Sequence, residues 1–328
     1  MALSAAWRWL AAGLFLGALA LGDHWLTEGA TVGNERNAVA GAVARTAENN
    51  ARGVVLLGSS TTADWLPTSF LAAIFDKTRG EVVRAHVNGC HQTCTLAEVR
   101  GLLAQGRHFE VAIFGTNQFQ MCEYPHSKRV LQHRLLIPTQ DLPLLFGLYA
   151  QSREPLTYFA RFAGGAASEA YADTASLQRS WRRSLFGKKR EAAPRSWVRP
   201  RPLPKSGGPS LCPYAPADVR YKTAAQRALM DSLTELADVA FVLLLPEATL
   251  SDPSPASVAA WQRHRESFRA MASEHERIVL IDLTQDGPRL PANFTDGFHL
   301  QPNEHIGQRR RLRAALAAGG HVEPAGPR

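Results

Sequence analysis

Three short stretches of the chain carry residue types whose spacing suits acyl-transfer chemistry. In the first, Val54-Val55-Leu56-Leu57 runs into Gly58-Ser59-Ser60-Thr61-Thr62, an apolar strand ending in a turn of small residues. A serine at the carboxyl end of a buried parallel strand stands where α/β sheets bind ligands. A helix starting just beyond it would offer backbone N–H groups to a developing oxyanion. Asn293-Phe294-Thr295-Asp296-Gly297-Phe298-His299-Leu300 is the second stretch. Asp296 and His299 are three apart, so the carboxylate can hold one imidazole tautomer while the other ring nitrogen faces a nucleophile. In the third, Ala112-Ile113-Phe114-Gly115-Thr116-Asn117, an amide projects from a strand end and can donate to an oxyanion. Each stretch also has a plain structural reading, as a helix cap, a surface turn and a strained turn respectively.

Residues this far apart need a frame that brings strand ends together. Short β-branched or Leu-rich runs at Val54–Leu57, Val82–Val87, Val111–Phe114, Val239–Leu245 and Ile278–Leu283 read as buried parallel strands. Amphipathic stretches at Leu96–Gln105, Thr223–Ala237 and Ser257–His275 read as the helices between them, the last opened by Asp252-Pro253-Ser254-Pro255. Strand alternating with helix predicts a parallel α/β sheet covered on both faces. Residues 124–221 break this rhythm with aromatics, prolines and no clean strand. They are expected to be an insertion over the sheet, partly helical before Ser180 and loose from Lys188 to Pro216.

Composition bounds the rest. The chain has 328 residues, 45% hydrophobic and 20% charged, which excludes low-complexity and collagen-like architectures and allows a core that needs no stapling. The formal net charge is +8, but Arg179–Lys205 alone holds ten Lys or Arg against one acid, Glu191. The basicity is therefore local, and the remainder is close to neutral. At the amino end, Arg8 precedes an uncharged run from Trp9 to Leu21, followed by Gly22-Asp23-His24. Residues 1–22 are thus expected to be a signal peptide or an N-terminal membrane anchor, with the body of the protein exported to the periplasm or beyond. In an exported chain Cys90, Cys94, Cys122 and Cys212 suggest one or two disulfides, with the pairing open. The dense His86, Cys90, His91, Cys94 cluster leaves a zinc site as the alternative.

Taken in order, the three stretches resemble the blocks of the SGNH hydrolase superfamily, which includes the GDSL-type esterases and lipases. Gly58-Ser59-Ser60 resembles the Gly-Ser-Ser form found in membrane-anchored members that acylate cell-envelope polymers. The resemblance covers about residues 54–117 and 239–316. It implies a three-layer α/β/α fold with a flavodoxin-like parallel sheet, spanning about residues 50–320, with 124–221 inserted and 321–328 as a tail. It further implies Ser60 as nucleophile, His299 as general base, Asp296 as its orienter and Asn117 as a side-chain oxyanion donor, with no metal or organic cofactor. The chain departs from the pattern at the second block, Val87-Asn88-Gly89-Cys90-His91-Gln92-Thr93-Cys94. Gly89 comes early for the backbone donor expected there, and the usual offset falls on Gln92 or Thr93.

The function implied is hydrolysis of an ester-bearing substrate, an acylated carbohydrate or lipid of the cell envelope. The same triad also serves O-acyltransferases of envelope polysaccharide, and an idle triad would leave a non-catalytic protein binding anionic polymer. The basic run 179–205 is expected to meet an anionic envelope surface. Nucleic acid is not an expected partner, although Trp181 and Trp197 lie among arginines, because export removes the protein from it.

Overall fold

A computed structural model describes residues 53–117, 127–167, 216–246, 255–284, 293–295 and 299–323. In chain order the elements are β1 (Val54–Leu57), α1 (Ser60–Ala63), α2 (Thr68–Ile74), β2 (Val82–Arg84), α3 (Gln92–Ala104), β3 (Phe109–Thr116), α4 (Ser127–Leu136), α5 (Leu142–Gln151), α6 (Pro155–Ala167), α7 (Pro216–Leu236), β4 (Ala237–Leu244), α8 (Pro255–Ser273), β5 (Ile278–Asp282) and α9 (Glu304–Ala318). The five strands form one all-parallel sheet in the order β2-β1-β3-β4-β5. This is the flavodoxin-like order, whose topological switch point lies between β1 and β3.

Alternating residues of these strands feed two separate cores. Val55, Leu57, Ala112, Phe114, Ala240 and Val242 pack with α3, α7 and α8 on one face. Val54, Leu56, Ile113, Phe241 and Leu243 pack with α2 and α9 on the other. All four β1 residues are fully buried, which is why this strand is a run of Val and Leu with no polar alternation. Each such side chain contributes about 1.5–3 kcal/mol by leaving water.

Every expected strand is present. The second is shorter than expected, ending at Arg84, because the chain bends off the sheet there and keeps only isolated bonds from Ala85 N to Leu56 O and Val87 N to Gly58 O. The insertion contributes α4, α5 and α6, and among its described residues there is no strand. Its expected end at Tyr221 falls inside α7, since that helix starts at Pro216. The inserted helices rest on the α3 face through an aromatic group in which Tyr149 stacks on Tyr158 at 4.7 Å and Phe146 meets Phe162 edge-on at 5.1 Å. Arg100 of α3 grips Asp141 with two hydrogen bonds, 3.1 and 2.9 Å, and fixes the loop that leads into α5. Residues 1–22, the basic run 179–205, Asp252–Ser254, Cys122, Cys212 and the tail beyond residue 323 lie outside the described residues. Among the described residues no helix is long and apolar enough to cross a membrane.

Candidate functional site

The register of the sheet explains how the first and third stretches come together. Leu57 pairs with Phe114, and Ser60 and Asn117 each lie three residues beyond that pair, at the carboxyl ends of the two strands that flank the switch point. Two glycines make the approach close enough. Gly58 has φ +105°, a conformation that side chains disfavour, and a Cβ there would stand 2.9 Å from Gly115 O. A Cβ on Gly115 would stand 2.3 Å from Thr62 Oγ1. Thr62 fills that space and donates to Gly115 O at 3.1 Å, locking the serine turn onto β3.

Within the turn, the two serines have different tasks. Ser59 is the N-cap of α1; it is buried, and its Oγ accepts from Thr61 N at 3.3 Å. Ser60 is half-buried, and its Oγ lies 2.8 Å from His299 Nε2. With the imidazole protonated on Nδ1, the hydroxyl donates to Nε2 and is placed for deprotonation. The helix expected beyond Ser60 is a single turn, too short to act as an extended dipole. Its N–H groups are also spent: Thr62 N and Ala63 N donate to Ser59 O at 3.1 Å, and Asp64 N donates to Ser60 O at 2.9 Å. Among the described residues of α1, the Ser60 N–H makes no such bond and can face an oxyanion.

His299 is carried by the segment after β5. Phe294 and Leu300 form an isolated antiparallel bridge, Thr295 N donates to His299 O at 2.8 Å, and Gln301 N donates to Asn293 O at 2.8 Å. Phe294 and Leu300 are both buried against the α9 side of the sheet, which fixes the height at which His299 stands. Asp296, its expected orienter, lies outside the described residues. Asn117 is fully buried immediately after β3.

At the second block, Cys90 and Cys94 are joined in a disulfide. That pairs two of the four cysteines and removes both thiols from any zinc site, so the alternative metal reading of this cluster fails. Gly89 occupies a left-handed conformation, φ +71°, at an exposed corner. Gln92 begins α3 and is 2% exposed, and among the described residues its Nε2 has no hydrogen-bond partner. Of the two expected second donors, Gln92 therefore has the better surroundings: a buried site at the start of a long helix whose N-cap, His91, makes no side-chain capping bond to it.

The insertion buttresses this block, a role that sequence motifs did not suggest. Gln132 Nε2 donates to Asn88 O at 3.3 Å, and the Thr93 hydroxyl meets the Tyr221 hydroxyl at 2.8 Å. Asp64 was also missed. Its Oδ2 lies 3.9 Å from His299 Nε2, and the one available signal was its position four residues after the serine, one helical turn on. His305 of α9 lies close by. Burial, with help from the Arg309 charge, holds its imidazole below the usual pKa, against the opposing pull of the Leu300 carbonyl and Asp64.

No family model matches the chain, and neither a curated protein nor a solved structure matches it.

Proposed function

We propose that the protein is a serine hydrolase of the SGNH type acting on ester bonds, with Ser60 as nucleophile and His299 as general base. The observation that carries this reading is the 2.8 Å contact between Ser60 Oγ and His299 Nε2, at the carboxyl ends of parallel strands beside the switch point. In this mechanism His299 takes the hydroxyl proton as Ser60 Oγ attacks the ester carbonyl. The oxyanion is held by Asn117, the Ser60 N–H and a donor at Gln92, and collapse of the tetrahedral species expels the alcohol, which leaves with the proton from His299. Water, activated by the same imidazole, then releases the acid and frees Ser60. Asp296 supplies the carboxylate that fixes the tautomer. No cofactor enters these steps.

The substrate class is an acylated carbohydrate or lipid of the cell envelope. Residues 1–22 support export, and the Cys90–Cys94 disulfide suits an oxidising compartment. The test is covalent labelling by a fluorophosphonate together with acetyl-ester release. Wild type labels and releases acetate, whereas Ser60→Ala does neither and His299→Ala loses at least about a thousandfold in rate. Failure of wild type to label, under conditions where another serine esterase does, would overturn the reading. Acylation of a glycan acceptor with negligible hydrolysis would move the assignment to an O-acyltransferase using the same residues.

A further inference from the structure

The carboxylate of Asp64 faces the same imidazole nitrogen as the Ser60 hydroxyl. Asp64 N donates to Ser60 O, so the two side chains sit one helical turn apart on one side of α1. Its Oδ2 is 3.9 Å from His299 Nε2, too far for a hydrogen bond and on the wrong nitrogen to orient the ring. The side chain is 53% exposed and lies beside the imidazole that meets Ser60, so solvent and solutes reach it there. Structure does not explain its charge. Among the described residues no lysine or arginine forms an ion pair with it.

The basic groups around it are committed elsewhere. Arg84 Nη2 donates to Ala63 O at 2.7 Å. Arg309 Nε donates to His305 O at 3.1 Å, with its guanidinium 5.9 Å from the centre of the Phe70 ring. His305 donates from Nε2 to Leu300 O at 3.2 Å, and burial favours its neutral form. An uncompensated carboxylate at the mouth of a reaction centre raises the local concentration of cations and opposes anions.

We infer that Asp64 is a specificity-determining residue that selects esters bearing a positive charge next to the scissile bond and rejects anionic ones. The inference rests on the serine-ester reading above. The favoured ligand chemistry is an ammonium group close to the reacting carbonyl, on either the acyl or the alcohol portion. Asp64 Oδ2 and Ser60 Oγ flank one nitrogen, so an ammonium one or two bonds from that carbonyl falls within reach of the carboxylate.

The experiment compares kcat/KM of wild type and Asp64→Asn on matched esters. Para-nitrophenyl acetate is the neutral reference for the para-nitrophenyl ester of glycine, with its cation on the acyl side, and for para-nitrophenyl hydrogen succinate, the anionic case. Acetylthiocholine, with its cation on the alcohol side, is compared with its uncharged carbon isostere. In the variant the cationic-to-neutral ratio is expected to fall by roughly tenfold in one of the two arms, and the anionic-to-neutral ratio to rise. The arm that responds identifies the charged portion. In wild type the same preference weakens as sodium chloride rises from about 0.02 to about 0.5 M. Unchanged ratios in both arms, with para-nitrophenyl acetate still turned over, would overturn the role of Asp64 and leave the hydrolase reading standing. Absence of turnover of every ester by wild type would overturn both.

Discussion

Thr62 Oγ1 donates to Gly115 O at 3.1 Å, and this bond ties the turn that carries Ser60 to the strand that leads into Asn117. A side chain on Gly115 cannot coexist with it, because the new Cβ would lie 2.3 Å from Thr62 Oγ1 and 2.6 Å from its Cγ2. Gly115→Ala is therefore expected to destabilise the fold by about 1–3 kcal/mol, as overpacking does, and to lower kcat at least about tenfold by displacing Ser60. Adding Thr62→Ala removes the two nearest atoms but leaves the Cβ of residue 62 at 2.9 Å from the new one, so it should recover stability in part and activity less, since the bond is still lost. Urea unfolding and ester turnover on the two variants check this.

The Cys90–Cys94 bridge closes a loop with a sequence separation of 4 and holds the start of α3, where Gln92 stands. Cys90→Ser with Cys94→Ser is expected to cost about 2 kcal/mol from the denatured-state entropy of so short a loop. The fall in kcat should exceed what that loss explains, with KM less affected. Thermal unfolding and steady-state kinetics on the double variant separate the two effects. A stable variant with full kcat would show that the bridge does not position the second donor.

Stability should also depend on pH through His305. Burial depresses its pKa in the folded state, so below about pH 6.5 the unfolded chain binds a proton that the folded chain resists. The penalty is absent above that value and grows as pH falls toward the lowered folded value, so stability declines with acidification. His305→Gln, which cannot take up the proton, should flatten this part of the profile. Urea midpoints for both proteins near pH 7.5 and pH 5.5 provide the measurement.

The basic run gives a separable expectation. Replacing Arg182, Arg183, Lys188, Lys189 and Arg190 with Gln should abolish cosedimentation with anionic phospholipid vesicles while leaving turnover of a small neutral ester within about twofold. Parallel loss of both activities would assign the segment to folding.

The sheet was legible in the sequence because buried parallel strands are apolar on both faces. Val54–Leu57 and Val239–Leu245 announce themselves as uninterrupted runs, and each strand's ends follow to within a few residues. Ser60, His299 and Asn117 were legible as polar residues just past such runs or in a short turn, and the first two meet in space. The pairing of Cys90 with Cys94 was not, since four cysteines allow several connectivities and the approach of these two sulfurs depends on where α3 begins. Asp64 was not legible either. Its meaning depends on the direction of one helical turn relative to an imidazole that arrives 235 residues later in the chain.

The site is assembled from parts of unequal permanence. β1 and β3 each have a neighbour on both sides, so Ser60 and Asn117 grow from the segment whose amide hydrogens are expected to exchange last. His299 instead follows β5, an edge strand, and is moored by the Phe294–Leu300 bridge and a few loop bonds. Local openings that release this segment are expected to separate His299 from Ser60 while the sheet stays intact. Heat or mild denaturant should then abolish the proposed ester turnover before any change in far-ultraviolet dichroism, and turnover should recover at once on cooling or dilution.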